Sequence, residues 1–146
     1  MNRRKFITTG CISCISGGLM MSLIEGCTTA KIATITIEGS DMIVPLAAFR
    51  IKKSNQTSYK QYLVVQNDKL KYPICVFRFD ENHYEALLMR CTHQGTELQV
   101  FGDKLQCPAH GSEFNNRGDV KHGPAATALR KFPVTITNNQ LKISLI

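Results

Sequence analysis

From Lys31 onward the chain is predicted to fold as an all-β domain, a sandwich or barrel of short antiparallel strands. Short apolar or alternating runs recur between polar breaks, and several show the period of two that a half-buried strand needs. No amphipathic helix of convincing length interrupts them. Hydrophobic residues make up 43% and charged residues 20% of the 146 residues, a balance that indicates one compact domain and excludes a disordered chain.

The predicted strands follow one another closely. They are residues 32–37, 42–49, 62–65, 74–79, 84–89, 132–136 and 141–145. Asn138-Asn139, between the last two, is a turn signal that predicts a hairpin. Cys75 lies inside an apolar run, so we interpret it as a core residue rather than a ligand.

Residues 1–26 are predicted to be an export signal. Arg3, Arg4 and Lys5 precede nineteen residues without a charge, which is the layout of a basic region followed by an apolar region. Eight of the nineteen are Gly, Ser or Thr, whereas a secure transmembrane helix needs about 20 strongly apolar residues. A cleaved signal therefore fits better. The paired arginines resemble a twin-arginine signal, an address read on proteins that are exported already folded.

The segment that ends the signal predicts a lipid anchor. Leu23-Ile24-Glu25-Gly26-Cys27 resembles a bacterial lipobox, so Cys27 is expected to become the lipidated first residue. The alternative is that the segment stays uncleaved as a membrane anchor. Residues 27–40 are interpreted as a tether and first strand, and 41–146 as the folded domain. We therefore expect a protein exported across the bacterial cytoplasmic membrane and anchored there, facing the periplasm or the outside.

Two short motifs carry the chemistry. Cys91-Thr92-His93-Gln94-Gly95 and Cys107-Pro108-Ala109-His110-Gly111-Ser112 each supply one thiolate and one imidazole. Cys91, His93, Cys107 and His110 thus form a candidate four-ligand metal site. Zinc accepts two thiolates and two imidazoles, but its common spacing groups Cys with Cys and His with His. A binuclear iron cluster needs the interleaved order when one iron takes both thiolates and the other both imidazoles, so iron is favoured over zinc.

The two motifs resemble the two boxes of Rieske 2Fe-2S proteins, and the resemblance covers most of residues 41–146. It implies a Rieske fold of stacked antiparallel sheets, with a small cluster-binding subdomain at about residues 88–125. It also implies one 2Fe-2S cluster per subunit. In this family the cysteines, here Cys91 and Cys107, hold the inner iron, and the histidines, here His93 and His110, hold the outer, more exposed iron.

The resemblance also assigns residues that tune the cluster. Ser112 matches a serine that donates to a bridging sulfide, and Phe114 stands where high-potential members have a tyrosine. Gly123-Pro124 correspond to a loop that covers the cluster. Quinol-oxidising members usually carry an extra cysteine in each box, and the two cysteines form a disulfide that braces the loops. Thr96 and Ala109 occupy those positions here, so this chain cannot form that disulfide. We therefore expect a potential in the middle or lower part of the Rieske range of about −150 to +300 mV.

These features predict a one-electron transfer protein, a subunit of an oxidoreductase rather than an enzyme by itself. The favoured role is the iron-sulfur subunit of a membrane-associated respiratory complex, quinol-oxidising and bc-like or similar. Its expected redox partner is a cytochrome or another oxidoreductase subunit, with quinol as a candidate donor. One alternative is a Rieske ferredoxin serving an oxygenase, and a remote one is a zinc-binding module without redox activity.

The formal net charge of +7 is unevenly distributed. Residues 31–78 hold eight basic and three acidic side chains, whereas residues 88–125 hold four of each. The positive charge is densest at Arg50, Lys52 and Lys53, away from the ligand motifs. Such a surface either rests on anionic lipid headgroups, at about 1 kcal/mol per basic residue, or is simply solvated. Nucleic acid is not an expected partner, because no basic run is interleaved with aromatic residues.

Overall fold

A computed structural model describes residues 32–53 and 56–146, which form short strands and one 3₁₀ turn. The elements are β1 Ile32–Thr34, β2 Ile37–Glu38, β3 Asp41–Pro45, the turn Leu46–Phe49, β4 Arg50–Lys53, β5 Gln56–Tyr59, β6 Tyr62–Gln66, β7 Ile74–Arg78, β8 Tyr84–Leu88, β9 Gln99–Phe101, β10 Lys104–Gln106, β11 Glu113–Asn115, β12 Val120–His122, β13 Lys131–Phe132, β14 Val134–Thr137 and β15 Gln140–Ser144. The predicted signal and Cys27 lie outside the described residues. Within those residues no helix is long and apolar enough to cross a membrane.

The strands form stacked sheets, so the all-β prediction is confirmed. A five-stranded sheet has the order β1-β6-β7-β8-β13. One four-stranded sheet has the order β14-β15-β3-β2, a second has the order β12-β11-β10-β9, and β4 and β5 form a separate hairpin. The described strand pairs are antiparallel as expected, with one exception: β1 runs parallel to β6.

The run predicted as one strand over residues 42–49 is divided at Pro45, where β3 ends and the 3₁₀ turn begins. Proline has no N–H to continue the ladder, and the next amide, Leu46 N, donates instead to the carbonyl of Asn139 at 3.0 Å. The turn carries Phe49 into the core, where its ring packs edge-on against Tyr84 with centroids 5.3 Å apart. The apolar character of this run therefore reflects burial of a turn as well as of a strand.

Two cores lie on opposite faces of the five-stranded sheet. Alternate residues of a strand face opposite sides, and β7 contributes Ile74 and Val76 to one core and Cys75 and Phe77 to the other. The first core joins this sheet to the β14-β15-β3-β2 sheet, and the second joins it to the β12-β11-β10-β9 sheet. Cys75 is fully buried, as expected of a core residue, and burial raises the pKa of its thiol far above the usual range.

The hairpin turn predicted at Asn138-Asn139 is present between β14 and β15. Both residues have left-handed backbone angles, with φ of 50° and 59°. Two consecutive left-handed residues give the turn whose twist matches that of the flanking antiparallel strands.

We predict that Gly118→Ala destabilises the fold more than Gly102→Ala. Both glycines have positive φ, of 82° and 62°, so alanine costs about 1–2 kcal/mol in backbone strain at either position. A Cβ on Gly118 would also lie 3.0 Å from Leu87 Cδ2, whereas one on Gly102 would meet no atom within 4 Å. Overpacking adds about 1–3 kcal/mol. Thermal unfolding of the full-length variants by circular dichroism measures the difference, and equal midpoints would contradict this packing.

Candidate cluster-binding site

The first ligand motif forms a closed loop directly after β8. The amide of Cys91 donates to the carbonyl of Thr96 at 2.8 Å, and the amide of Gly95 donates back to the carbonyl of Cys91 at 2.8 Å. Gly95 has φ of 78°, a left-handed angle that residues with a Cβ rarely adopt. The glycine therefore lets the chain reverse within five residues of the cysteine.

The second motif repeats this geometry between β10 and β11. The amide of Cys107 donates to the carbonyl of Ser112 at 2.8 Å, and the amide of Gly111 donates to the carbonyl of Cys107 at 3.0 Å. Gly111 has φ of 73°. In both loops the left-handed glycine stands four residues after the cysteine and a hydroxyl residue stands five after it.

The loops bring the four candidate ligands together, with thiols inside and imidazoles outside. Cys91 and Cys107 are each 1% exposed. His93 is half-buried and His110 is exposed, and their rings lie 4.9 Å apart at an interplanar angle of 87°. The site thus presents two sulfur atoms to the protein interior and the imidazole of His110 to solvent.

The environment of Cys107 favours its thiolate. Burial acts to raise the pKa of this thiol, but hydrogen bonds from the backbone of His110 and Ala109 and from the side chains of Cys91 and Thr96 act in the opposite direction. Together these interactions leave the pKa of Cys107 below its usual value. The thiolate is the form that binds a metal.

One atom of the site has no hydrogen-bond partner. Nδ1 of His93 is buried and unpartnered, and an unsatisfied buried polar atom costs about 1–3 kcal/mol. Coordination of a metal would satisfy this nitrogen. Two buried thiols, two adjacent imidazoles and an unpartnered ring nitrogen fit a 2Fe-2S cluster in which two histidines replace two cysteines on one iron.

A third loop, between β12 and β13, is tied to both ligand loops. The amide of Ala125 donates to Oγ of Ser112 at 3.0 Å, and Oγ1 of Thr92 donates to the carbonyl of Thr127 at 2.7 Å. Gly123 and Pro124 lie exposed on the same loop. Ser112 is fully buried, and because its oxygen accepts from Ala125, its own hydrogen is free for another acceptor.

Packing and hydrogen bonds, not a disulfide, hold the described loops. Cys75, Cys91 and Cys107 are free thiols in the described part of the chain. Thr96 contributes its carbonyl to the first loop and its hydroxyl to Cys107, and Ala109 is exposed. Phe114 is fully buried in the second core and offers no hydroxyl.

The sequence alone did not single out Thr92 and Arg90 as supports of this site. Thr92 bonds a carbonyl 35 residues away, and no local pattern marks such a link. Arg90 packs its guanidinium against the first loop, since a Cβ built on Gly95 would lie 3.2 Å from Arg90 Nε. Its guanidinium carbon also lies 6.0 Å from the centre of the Tyr72 ring.

Residues 48–133, more than half of the chain, match the Rieske [2Fe-2S] domain family. The chain therefore belongs to the Rieske family, and it is an iron-sulfur electron-transfer protein whose cofactor is a 2Fe-2S cluster.

Three relatives place the chain within this family. It is 27% identical to the cytochrome b6-f complex iron-sulfur subunit of Microcystis aeruginosa, over 95% of this chain and 82% of that protein. It is 34% identical to the oxygenase component of chloroacetanilide N-alkylformylase of Rhizorhabdus wittichii, over 42% of this chain and 18% of that protein. Among solved structures, the plasma membrane Rieske protein PetC3 from Synechocystis PCC 6803 matches with 28% identity and a TM-score of 0.51, over 57% of this chain and 86% of that chain.

We predict that Ser112→Ala loosens the third loop. The substitution leaves the buried amide of Ala125 without an acceptor, at a cost of about 1–3 kcal/mol. Hydrogen exchange at that amide should accelerate by about tenfold to a hundredfold. Thr92→Val is the matched control. It removes the exposed hydrogen bond from Thr92 to the carbonyl of Thr127, the other bond to the third loop, and leaves Ser112 Oγ in place as the acceptor for Ala125. Unchanged exchange at Ala125 in Ser112→Ala would contradict this assignment.

Proposed function

We propose that this protein is the exported, membrane-anchored iron-sulfur subunit of a quinol-oxidising respiratory complex, bc-like or similar, and that it passes single electrons to a cytochrome or another oxidoreductase subunit. The observation that carries the proposal is the extent of the similarity. Likeness to the Microcystis cytochrome b6-f iron-sulfur subunit runs over 95% of this chain and 82% of that protein, whereas likeness to the Rhizorhabdus oxygenase component covers 42% of this chain and 18% of that protein.

In this proposal Cys91 and Cys107 ligate one iron, and His93 and His110 ligate the other. The buried thiols and the unpartnered Nδ1 of His93 support the assignment. When bound, the 2Fe-2S cluster supplies one-electron redox chemistry, at about −150 to +300 mV for centres with two histidine ligands.

The residues around the ligands hold and shield them. Leu98, Leu105 and Phe114 pack with both cysteines in the second core and exclude water from the sulfur side. The hydrogen bonds that close each loop fix the positions of Cys91 and Cys107. His110 is exposed, so its imidazole is where we place contact with an electron donor or acceptor, a quinol or a protein surface.

A ferredoxin serving an oxygenase is the second candidate. The lack of a bracing disulfide favours it, since Thr96 and Ala109 occupy the positions of that bridge. The predicted export signal opposes it, because a ferredoxin of this kind works beside a cytosolic reductase. Cellular location therefore separates the two candidates.

We predict that Cys91→Ala and Cys107→Ala each abolish cluster binding, whereas Cys75→Ala does not. All three cysteines are buried and free, but Cys75 lies on β7 in the interior of the five-stranded sheet. Iron and acid-labile sulfide content, with the electron paramagnetic resonance signal of the reduced protein, measure the outcome. Retention of the cluster in Cys91→Ala would contradict the ligand assignment.

We predict that the wild-type chain fractionates with the membrane and is cut by protease added outside spheroplasts. Arg3→Lys combined with Arg4→Lys should trap it in the cytoplasm, since the arginine pair is the export address. Cys27→Ser separates the two anchors: release from the membrane indicates lipidation, and retention indicates an uncleaved signal. A wild-type chain that is soluble and cytoplasmic would reject the respiratory subunit in favour of the ferredoxin.

A further inference from the structure

The hairpin of β4 and β5 carries a basic and aromatic face that the redox site does not use. Arg50 pairs across the hairpin with Tyr59, and Lys52 pairs with Thr57. Residues paired in an antiparallel ladder, and residues two apart on one strand, share a face, so these four side chains point the same way. All four are exposed, whereas Ile51 on the opposite face is half-buried.

A third cation joins this face from β7. The guanidinium carbon of Arg78, a half-buried residue, lies 4.3 Å from the centre of the Tyr59 ring. We define the basic hairpin face as Arg50, Lys52, Tyr59 and Arg78. The sequence from residue 42 to residue 67 contains no acidic residue. The ion pairs found among the described residues involve none of these cations.

The basic hairpin face lies at the end of the five-stranded sheet opposite the ligand loops. In the β7–β8 ladder, Arg78 pairs with Tyr84 at one end and Ile74 pairs with Leu88 at the other. The chain continues from Leu88 into the loop of Cys91, so the ligand loops extend from the Ile74 end. A partner bound at Arg78 and the hairpin therefore leaves the ligand loops accessible.

The chain also enters the domain at the end that carries this face. β6 begins at Tyr62, which pairs with Phe77 next to Arg78, and β1 runs parallel to β6 with Ile32 opposite Val64. Ile32, the first described residue, therefore lies toward the hairpin end of the sheet. Cys27 precedes Ile32 by five residues, which span at most about 18 Å. An anchor at Cys27 holds this end of the domain close to the lipid.

We propose that the basic hairpin face binds anionic phospholipid headgroups and seats the domain on the membrane with its ligand loops facing the aqueous phase. The inference rests on the proposed function for its membrane location. Basic residues are attracted to the negative surface potential of anionic lipids, and tyrosine is enriched at membrane interfaces. In this seated position the ligand loops face a partner in the aqueous phase. For the loops to reach a quinol in the membrane, the basic hairpin face must first dissociate from the lipid headgroups.

Vesicle flotation of the full-length protein tests this contact. Vesicles of phosphatidylcholine alone are compared with vesicles that also contain phosphatidylglycerol, at low ionic strength. The anchor contributes equally to both, so the ratio of the two partition coefficients reports electrostatic binding. Wild type should prefer the anionic vesicles, and added salt should reduce that preference. Arg50→Gln combined with Lys52→Gln should reduce the ratio by roughly tenfold to thirtyfold.

Lys69→Gln combined with Lys71→Gln is the matched control. It removes the same charge from exposed positions between β6 and β7, at the ligand-loop end, and should keep the anionic preference. Visible spectra verify that both double variants fold with their cluster. If the preference for anionic vesicles falls equally in the two double variants, net charge alone explains the binding, and the proposal is overturned. An undiminished preference for anionic vesicles in the hairpin variant would also overturn it, because other residues would then carry the binding.

The flotation result can be told apart from the results of the location experiments on Arg3, Arg4 and Cys27. An anchored subunit whose hairpin variant floats like wild type keeps the proposed function and loses this inference. A chain found in the cytoplasm loses the proposed function, and the inference with it.

Discussion

Closure of the two ligand loops by paired backbone hydrogen bonds is the constraint on which the site depends. Each cysteine both donates to a carbonyl five residues later and accepts from the glycine four residues later. The reversal needs left-handed backbone at Gly95 and Gly111, which residues with a Cβ rarely adopt. With the loops closed, both thiols are buried and both imidazoles are brought to the outer side.

The loops are kept in place by a sheet that is buried on both faces. β7 sends alternate side chains into two cores, so the layer that contains the site and the layer of β14-β15-β3-β2 pack on opposite faces of this sheet. The third loop completes the arrangement through Ser112 and Thr92. Rigidity that a disulfide would otherwise supply thus comes from hydrogen bonds between segments distant in sequence.

The features that depend on local pattern could be predicted from the sequence. Period-two alternation and the turn residues Asn138-Asn139 indicated strands and a hairpin that the structure contains. The β4–β5 hairpin was missed because β5 is polar and exposed on both faces and so shows no hydrophobic alternation. The parallel pairing of β1 and the bond from Thr92 to Thr127 depend on tertiary arrangement, which has no local signature. The ligand motifs were visible at once, but the 4.9 Å approach of the two imidazole rings was not.

The free thiols at Cys75, Cys91 and Cys107 bear on where this protein can be made. The described fold contains no covalent bond that forms only under oxidising conditions. The cysteine thiols that bind an iron-sulfur cluster stay reduced in the cytoplasm, where glutathione and thioredoxin prevent their oxidation to disulfides. A chain with this cysteine usage can fold and receive its cluster in the cytoplasm, which is the order of events that the export proposed above, as folded cargo, would require.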